Sequence, residues 1–133
     1  MLAKIGVKVK LDAIPKAQHF PKIQKRVTDF YMLGWGVSTL DSHYVFSYLI
    51  ESKGSWNGTG YSNARVDEIT KLIASETDIP KRTALIDEAW TIVKSEMPYV
   101  PIHHQVLAWG MSEKIDIPIS SDDRLRPRFV VMK

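Results

Sequence analysis

The chain has 133 residues, 44% of them hydrophobic and 25% charged, with a formal net charge of +3 and no cysteine. That balance implies one globular domain with a real core and excludes a disordered chain, a disulfide framework and a thiolate metal site. No stretch approaches the roughly 20 apolar residues that a membrane-spanning helix needs, and MLAKIGVKVK has no apolar segment before a small-residue cleavage site, so it does not read as a signal peptide.

Residues 6–14, GVKVKLDAI, alternate apolar and polar with β-branched residues, which predicts a strand. Lys8 and Lys10 then fall on its solvated face, between Val7, Val9 and Leu11. The spacing of Ala17, Phe20, Ile23 and Val27 predicts a helix from Pro15 to about Val27, with Pro21 breaking or restarting it near its middle. Residues 29–35 form a second strand, so the opening reads as β-α-β with a parallel crossover. A short helix follows from Asp41 to Ile50, with Tyr44, Val45, Tyr48 and Leu49 on its apolar face. ESKGSWNGTGYSN, rich in Gly, Ser and Asn, is a loop.

Asn63 or Ser62 can cap the next helix, whose first turn places Asp67 and Glu68 near the positive end of the helix dipole. Val66, Ile69, Leu72 and Ile73 give it one apolar stripe. Asp78 and Pro80 announce a further helix, with Leu85, Ile86, Ala89, Trp90 and Val93 along one face as far as Met97. Both stripes must be buried, and a sheet face is the natural partner. PYVPIHHQVLAWGM predicts an extended segment entering a sheet at its edge, where proline is tolerated. IDIPI and RFVVMK are short strands on either side of the polar SSDDRLRP. The whole reads as an α/β domain without internal repeats.

Few residues offer chemistry. His103 and His104 are adjacent, so on an extended chain they point to opposite faces and cannot grip one metal ion, while His19 and His43 lie far off in sequence. Asp122 and Asp123 before Arg124 read as a solvated turn. No phosphate loop, nucleophile elbow or HExxH pattern occurs, and no metal or other cofactor is expected. Two alternatives stand beside a binding role. A small hydrolase would use His103 or His104 with an acidic partner, and a basic nucleic-acid-binding domain would gather Lys8, Lys10, Lys25 and Arg26 on one face.

GWGVSTLDSHY, residues 34–44, leaves the carboxyl end of the second predicted strand, where ligands sit in parallel sheets. Gly34 and Gly36 let the backbone approach another surface. Trp35 offers a wide apolar face with one donor, and the backbone, Ser38, Thr39 and Asp41 offer directional polar contacts. The other reading of the same residues makes Trp35 core, Ser38 and Thr39 a turn, and Asp41 a helix cap.

Taken in order, LAKIGVKVKLDAI, DFYMLGWG, the helix-opening Asp41, GYSNARVDEI, DIPKRTALIDEAWTIVKSEMPYVPIHH and the closing strand segments resemble the C-terminal lobe of the extracellular solute-binding proteins of family 5, the dipeptide, oligopeptide and nickel receptors of ABC importers. The most specific pieces are the YSN-x-x-VDE helix start and the R-x-x-L-x-x-E-A…P-Y-x-P run. The resemblance implies a periplasmic-binding-protein-like (type II) lobe, a mixed sheet flanked by helices, with residues 1–133 as a single domain and most of that lobe. It implies a periplasmic or extracellular location, association with importer permease subunits, and an N-terminal lobe of the same protein facing this one across a ligand cleft. The chain then reads as a fragment that begins within the second lobe, with Met1 an added start. It would bind weakly or not at all by itself, since lobe closure needs both walls.

The resemblance also assigns the loop. Gly34, Trp35, Gly36, Val37, Ser38, Thr39 and Asp41 become ligand-binding residues, with Trp35 at an open edge of the lobe. In peptide-binding members a carboxylate on this loop pairs with the ligand's α-ammonium, and aligned from Trp35 that position falls at Ser38, a neutral hydroxyl that forfeits a charge-assisted pair. Asp41 matches a separate acidic position that the family continues with proline. Ser42 stands there instead, so Asp41 is expected to cap a helix. The ligand implied is one not held here by a free amine: a sugar, a modified peptide, or a peptide whose amine is read by the other lobe.

Overall fold

The computed structural model describes residues 2–120, 122 and 124–133. It divides into two compact units, Met1–Tyr99 and Val100–Lys133.

The first unit is built from helices and extended segments. A 3-10 turn, Leu2–Ile5, opens it. Helix α1, Lys16–Gln24, starts at Pro15 and runs through Pro21 rather than breaking there. One missing amide bond is tolerated because tertiary anchors hold both sides of the proline: Phe20 before it packs edge-on to Trp56 at 5.0 Å, and after it Lys22 pairs with Asp12 at 2.6 Å and Ile23 is wholly buried. Arg26 ends the turn in a left-handed conformation, φ 54°.

The predicted Asp41–Ile50 helix is two pieces. Helix α2, Ser42–Val45, passes into a π-helical turn, Phe46–Ile50, closed by the Glu51 N–H on the Phe46 carbonyl at 2.7 Å. Widening the helix turns Phe46, Leu49 and Ile50 inward together, and all three are buried. Helix α3, Ala64–Ile73, is capped by Asn63, whose side chain accepts from the Arg65 and Val66 amides, while Ser62 takes no part in the cap. Its buried stripe is Val66, Ile69, Thr70 and Ile73. Leu72 is 44% exposed, a correction to the predicted stripe, because its helical angle places it beside that arc rather than within it. Helix α4, Ile79–Glu96, is capped by Asp78 and ends at Met97, φ 47°.

The core gathers Phe46, Leu49, Ile50, Val66, Ile69, Ile73, Ala89 and Val93. The two long helices therefore bury their stripes against each other and the π-helical turn, not against the predicted sheet face. Arg65 fastens them outside the core, forking onto Glu88 at 2.6 and 2.8 Å. The loop after the π-helical turn winds around Asn57, which is 4% exposed. Its amide donates to the Glu51 and Tyr61 carbonyls, and its oxygen accepts from the Thr59 hydroxyl and the Gly60 amide. Gly54 is obligatory there, since a Cβ would sit 2.6 Å from the Tyr48 carbonyl oxygen.

The predicted strands at 6–14 and 29–35 form no ladder among the described residues, so the parallel β-α-β crossover is not observed. A strand is secured only by a partner, and neither segment has one. The second still shows period-two burial: Tyr31, Leu33, Trp35 and Val37 are half-buried, whereas Met32, Gly34 and Gly36 are exposed.

In the second unit, residues 100–111 are extended and exposed without the predicted sheet pairing. Strand β1, Ile115–Asp116, pairs antiparallel with β2, Val131–Met132, inside the predicted IDIPI and RFVVMK segments. A 3-10 turn, Pro127–Phe129, precedes β2. The Asp122 carboxylate accepts from the Arg124 amide and the Arg126 guanidinium, the expected polar turn, and Asp123 lies outside the described residues. The sheet among the described residues is thus one small open antiparallel pair instead of the predicted mixed sheet. Helices together with a small open sheet are consistent with one lobe of a periplasmic-binding-protein-like fold. No described helix is long and apolar enough to cross a membrane.

Candidate functional site

The 34–41 loop carries the predicted site, and its residues fall into two groups. Gly34 and Gly36 expose their backbone, and around them Trp35 and Val37 are half-buried. Ser38 and Thr39 are exposed in a turn closed by the Leu40 N–H on the Val37 carbonyl at 3.2 Å. Leu40 adopts φ 55° and is 93% exposed, an apolar side chain held out at the loop tip.

Trp35 packs against the core through other aromatics. Its ring centroid lies 5.9 Å from Tyr44, 6.1 Å from Tyr48 and 5.9 Å from Trp56. Phe20 closes the far side, edge-on to Trp56 at 5.0 Å. The Trp35 indole N–H is buried without a hydrogen-bond partner among the described residues. A buried donor left unpaired costs free energy.

Asp41 caps α2: its Oδ1 accepts from the His43 amide at 2.8 Å and from Arg82 Nη2 at 2.9 Å. The Arg82 hydrogen bond first, and the His43 amide after it, hold the Asp41 carboxyl below its ordinary value of 3.8. Arg82 comes from the first turn of α4, 41 positions away, and also donates Nε to the Ile73 carbonyl at the end of α3 at 3.0 Å. One guanidinium thereby ties the loop to both long helices, and no spacing in the sequence signals it.

Because the folded carboxyl titrates below the unfolded one, the Asp41 contribution is complete above pH 3.8 and is lost as pH falls through the lowered folded value. Asp41→Ala is expected to cost about 1 kcal/mol through the cap alone. Asp41→Asn keeps a capping oxygen but loses the ion pair, so its stability deficit against wild type should shrink on acidification below that range, as urea unfolding at a series of pH values would read.

Thr39, Asp41, His43, Tyr44, Tyr48 and Arg82 surround an open groove of about 460 Å³. Trp90 steadies its helix from below, donating Nε1 to Ser42 Oγ at 3.1 Å. Sequence reasoning placed Thr39 and Asp41 in a site but missed His43, Tyr48 and Arg82. Tyr44 and Tyr48 were legible only as an apolar helix face.

The alternative histidine site is not assembled among the described residues. His103 and His104 are exposed and make no hydrogen bond or ion pair among the described residues. No group of three or more His, Asp or Glu side chains among those residues could hold a metal ion. Lys8, Lys10, Lys25 and Arg26 are exposed, with Arg26 Nε donating to the Asn57 carbonyl at 3.2 Å.

Comparison with known proteins finds relatives along most of the chain. The oligopeptide-binding protein OppA of Bacillus subtilis is 26% identical over 111 residues, 84% of this chain and 20% of that protein. A dipeptide-binding protein of Pseudomonas aeruginosa PAO1 is 24% identical over 115 residues, 85% of this chain and 22% of that one. Di/tripeptide-binding protein 3 of Pseudomonas aeruginosa UCBPP-PA14 is 25% identical over 125 residues, 92% of this chain and 24% of that one. The chain therefore spans about a fifth to a quarter of the length of these curated relatives. No family model matches it, and no solved structure matches it significantly. These matches make the chain a distant homologue of the family 5 peptide-binding proteins.

Proposed function

We propose that this chain supplies one wall of a ligand cleft in a solute-binding protein that delivers a peptide, or a solute of similar size, to an ABC-type importer. The observation that carries this reading is the similarity along 84–92% of the chain to proteins named for binding oligopeptides, dipeptides and di/tripeptides. The chemistry of the 34–41 loop supports it. Trp35 offers a half-buried aromatic surface beside a backbone that is exposed at Gly34 and Gly36. Such a strip can hold a peptide through its backbone and through its side chains.

In this reading a second lobe provides the facing wall, importer permease subunits are the partners, and the protein works in the periplasm or at the outer cell surface. Binding, not turnover, is its activity. Gly34, Trp35, Gly36, Val37, Ser38 and Thr39 touch the ligand, and Asp41 holds the loop through its cap and the Arg82 pair. With Ser38 on the loop, a ligand ammonium finds no carboxylate there.

The test is calorimetric titration of di- to pentapeptides, free and N-acetylated, into the full-length protein. Binding should be saturable, acetylation should change affinity little, and Trp35→Ala should weaken it about tenfold or more. Ser38→Asp should restore a preference for the free amine. Absence of binding across the panel, or unchanged affinity in Trp35→Ala, overturns the reading.

A further inference from the structure

Asn57 and Gly58 form a chemically labile pair. An asparagine side chain loses ammonia when the amide nitrogen of the next residue attacks its carbonyl carbon, and glycine, without a Cβ, hinders that attack least. The other asparagine, Asn63, is followed by Ala64. The fold fixes both members of the labile pair. Asn57 uses all of its side-chain bonding capacity, on the Glu51 and Tyr61 carbonyls, the Thr59 hydroxyl and the Gly60 amide. Gly58 is buried, and a Cβ there would sit 2.5 Å from Ile23 Cγ2 and 2.8 Å from the Tyr31 hydroxyl. Neither residue can be exchanged for a less reactive one without loss of bonding or packing, so the loop keeps a reactive dipeptide at its centre.

The same contacts restrain the reaction. Ring closure requires Asn57 Cγ to swing onto Gly58 N, and that nitrogen must be free to give up its proton. Gly58 N–H instead donates to the Trp56 carbonyl at 2.8 Å. The plane of the Asn57 amide is held from both ends, by two acceptors on Nδ2 and two donors on Oδ1. The donors polarise the carbonyl, but polarisation without approach closes no ring.

We propose that Asn57 is a deamidation site guarded by the fold: it reacts when the loop after the π-helical turn opens locally, and its product cannot re-form the bonds that closed the loop. In the open loop Gly58 N loses its proton to solvent hydroxide and bonds to Asn57 Cγ. The Cγ–Nδ2 bond then breaks, and Nδ2 takes up a proton from water and leaves as ammonia. A second water opens the five-membered imide at either carbonyl, giving aspartate or, with a methylene added to the backbone, isoaspartate. Both products lack the two donors that the Glu51 and Tyr61 carbonyls require, and both carry a negative charge into a buried position, so reclosure is disfavoured. The damage reaches the 34–41 loop whatever that loop binds, because Trp56, the residue before the pair, packs on Trp35 at 5.9 Å.

The full-length protein is incubated at mildly alkaline pH in buffer and in unfolding guanidinium chloride, and the peptides that contain Asn57 and Asn63 are followed by mass spectrometry. In denaturant Asn57 should convert faster than Asn63. In buffer Asn57 should convert about tenfold or more slowly than in denaturant, since only the opened fraction reacts. Thr59→Val, at an exposed position, removes the hydroxyl that bonds the Asn57 oxygen and the Tyr61 amide. It should raise the rate in buffer about fivefold and leave the rate in denaturant unchanged. Hydrogen exchange at the Gly60 amide, which is bonded to the same oxygen, should rise in proportion. Converted protein, separated by ion exchange, should unfold at lower denaturant than unconverted protein. Equal rates in buffer and denaturant, an unchanged rate in Thr59→Val, or equal unfolding midpoints for the two forms overturns the proposal.

Discussion

Replacement of Phe46 by alanine should cost the first unit about 3–5 kcal/mol, the cost typical of removing a wholly buried aromatic side chain. Phe46 is 0% exposed and its ring lies 4.7 Å from that of Trp90 at 43°, between the π-helical turn and α4. Truncation removes apolar burial and leaves a cavity that cannot collapse easily, because Phe46 sits on a turn fixed by the Glu51–Phe46 backbone bond. A unit of this size has roughly 5–15 kcal/mol of stability in total, so the variant should be marginal. Urea unfolding followed by tryptophan fluorescence should show the midpoint fall sharply with a largely preserved m-value. Phe46→Leu should retain most of the lost stability. A loss below about 1 kcal/mol in Phe46→Ala would mean that α3 and α4 do not depend on this ring.

Asn57→Asp should be nearly as damaging, through polarity instead of volume. The Asn57 amide donates to the Glu51 and Tyr61 carbonyls at 3.0 and 2.8 Å. A carboxylate of the same shape turns those two donors into an acceptor facing two acceptors, at a position 4% exposed. Leaving buried polar groups unpaired costs about 1–3 kcal/mol each, and the added charge must be desolvated or protonated. The loss should therefore be about 3 kcal/mol or more near neutral pH, and it should lessen as the pH falls and the introduced carboxyl takes up a proton. Asn57→Ala, which loses the bonds without adding repulsion, should be milder. Thermal melts of the three proteins at neutral and acidic pH decide it, and equal losses for Asp and Ala would show that the carbonyls relax away.

How much of this was legible in the sequence differs from element to element. The caps at Asp41, Asn63 and Asp78 were, because a cap is a bond between a side chain and an amide two or three residues on. The continuation of α1 through Pro21 was not, since it depends on the burial of Ile23. For the candidate site, Thr39 and Asp41 were found as loop residues near a predicted strand end. Arg82 was not, because its partners Asp41 and Ile73 lie 41 and 9 positions away. Asn57 looked like one more polar residue in a Gly-rich loop, and only its four bonds reveal it as the centre of that loop.

By itself the sequence determined the helices, their caps, the loops and the likeness to a class of binding proteins, all carried by contacts within a few residues or by ordered motifs. Only the tertiary structure decided which predicted strands found partners, that the two long helices pack on each other and a π-helical turn, and that Arg82 meets Asp41 beside a tyrosine pair. The physical reason is that helix bonds close within four or five residues, whereas strand ladders and ion pairs join distant parts of the chain. Their free energy exists only once the chain has brought those parts together.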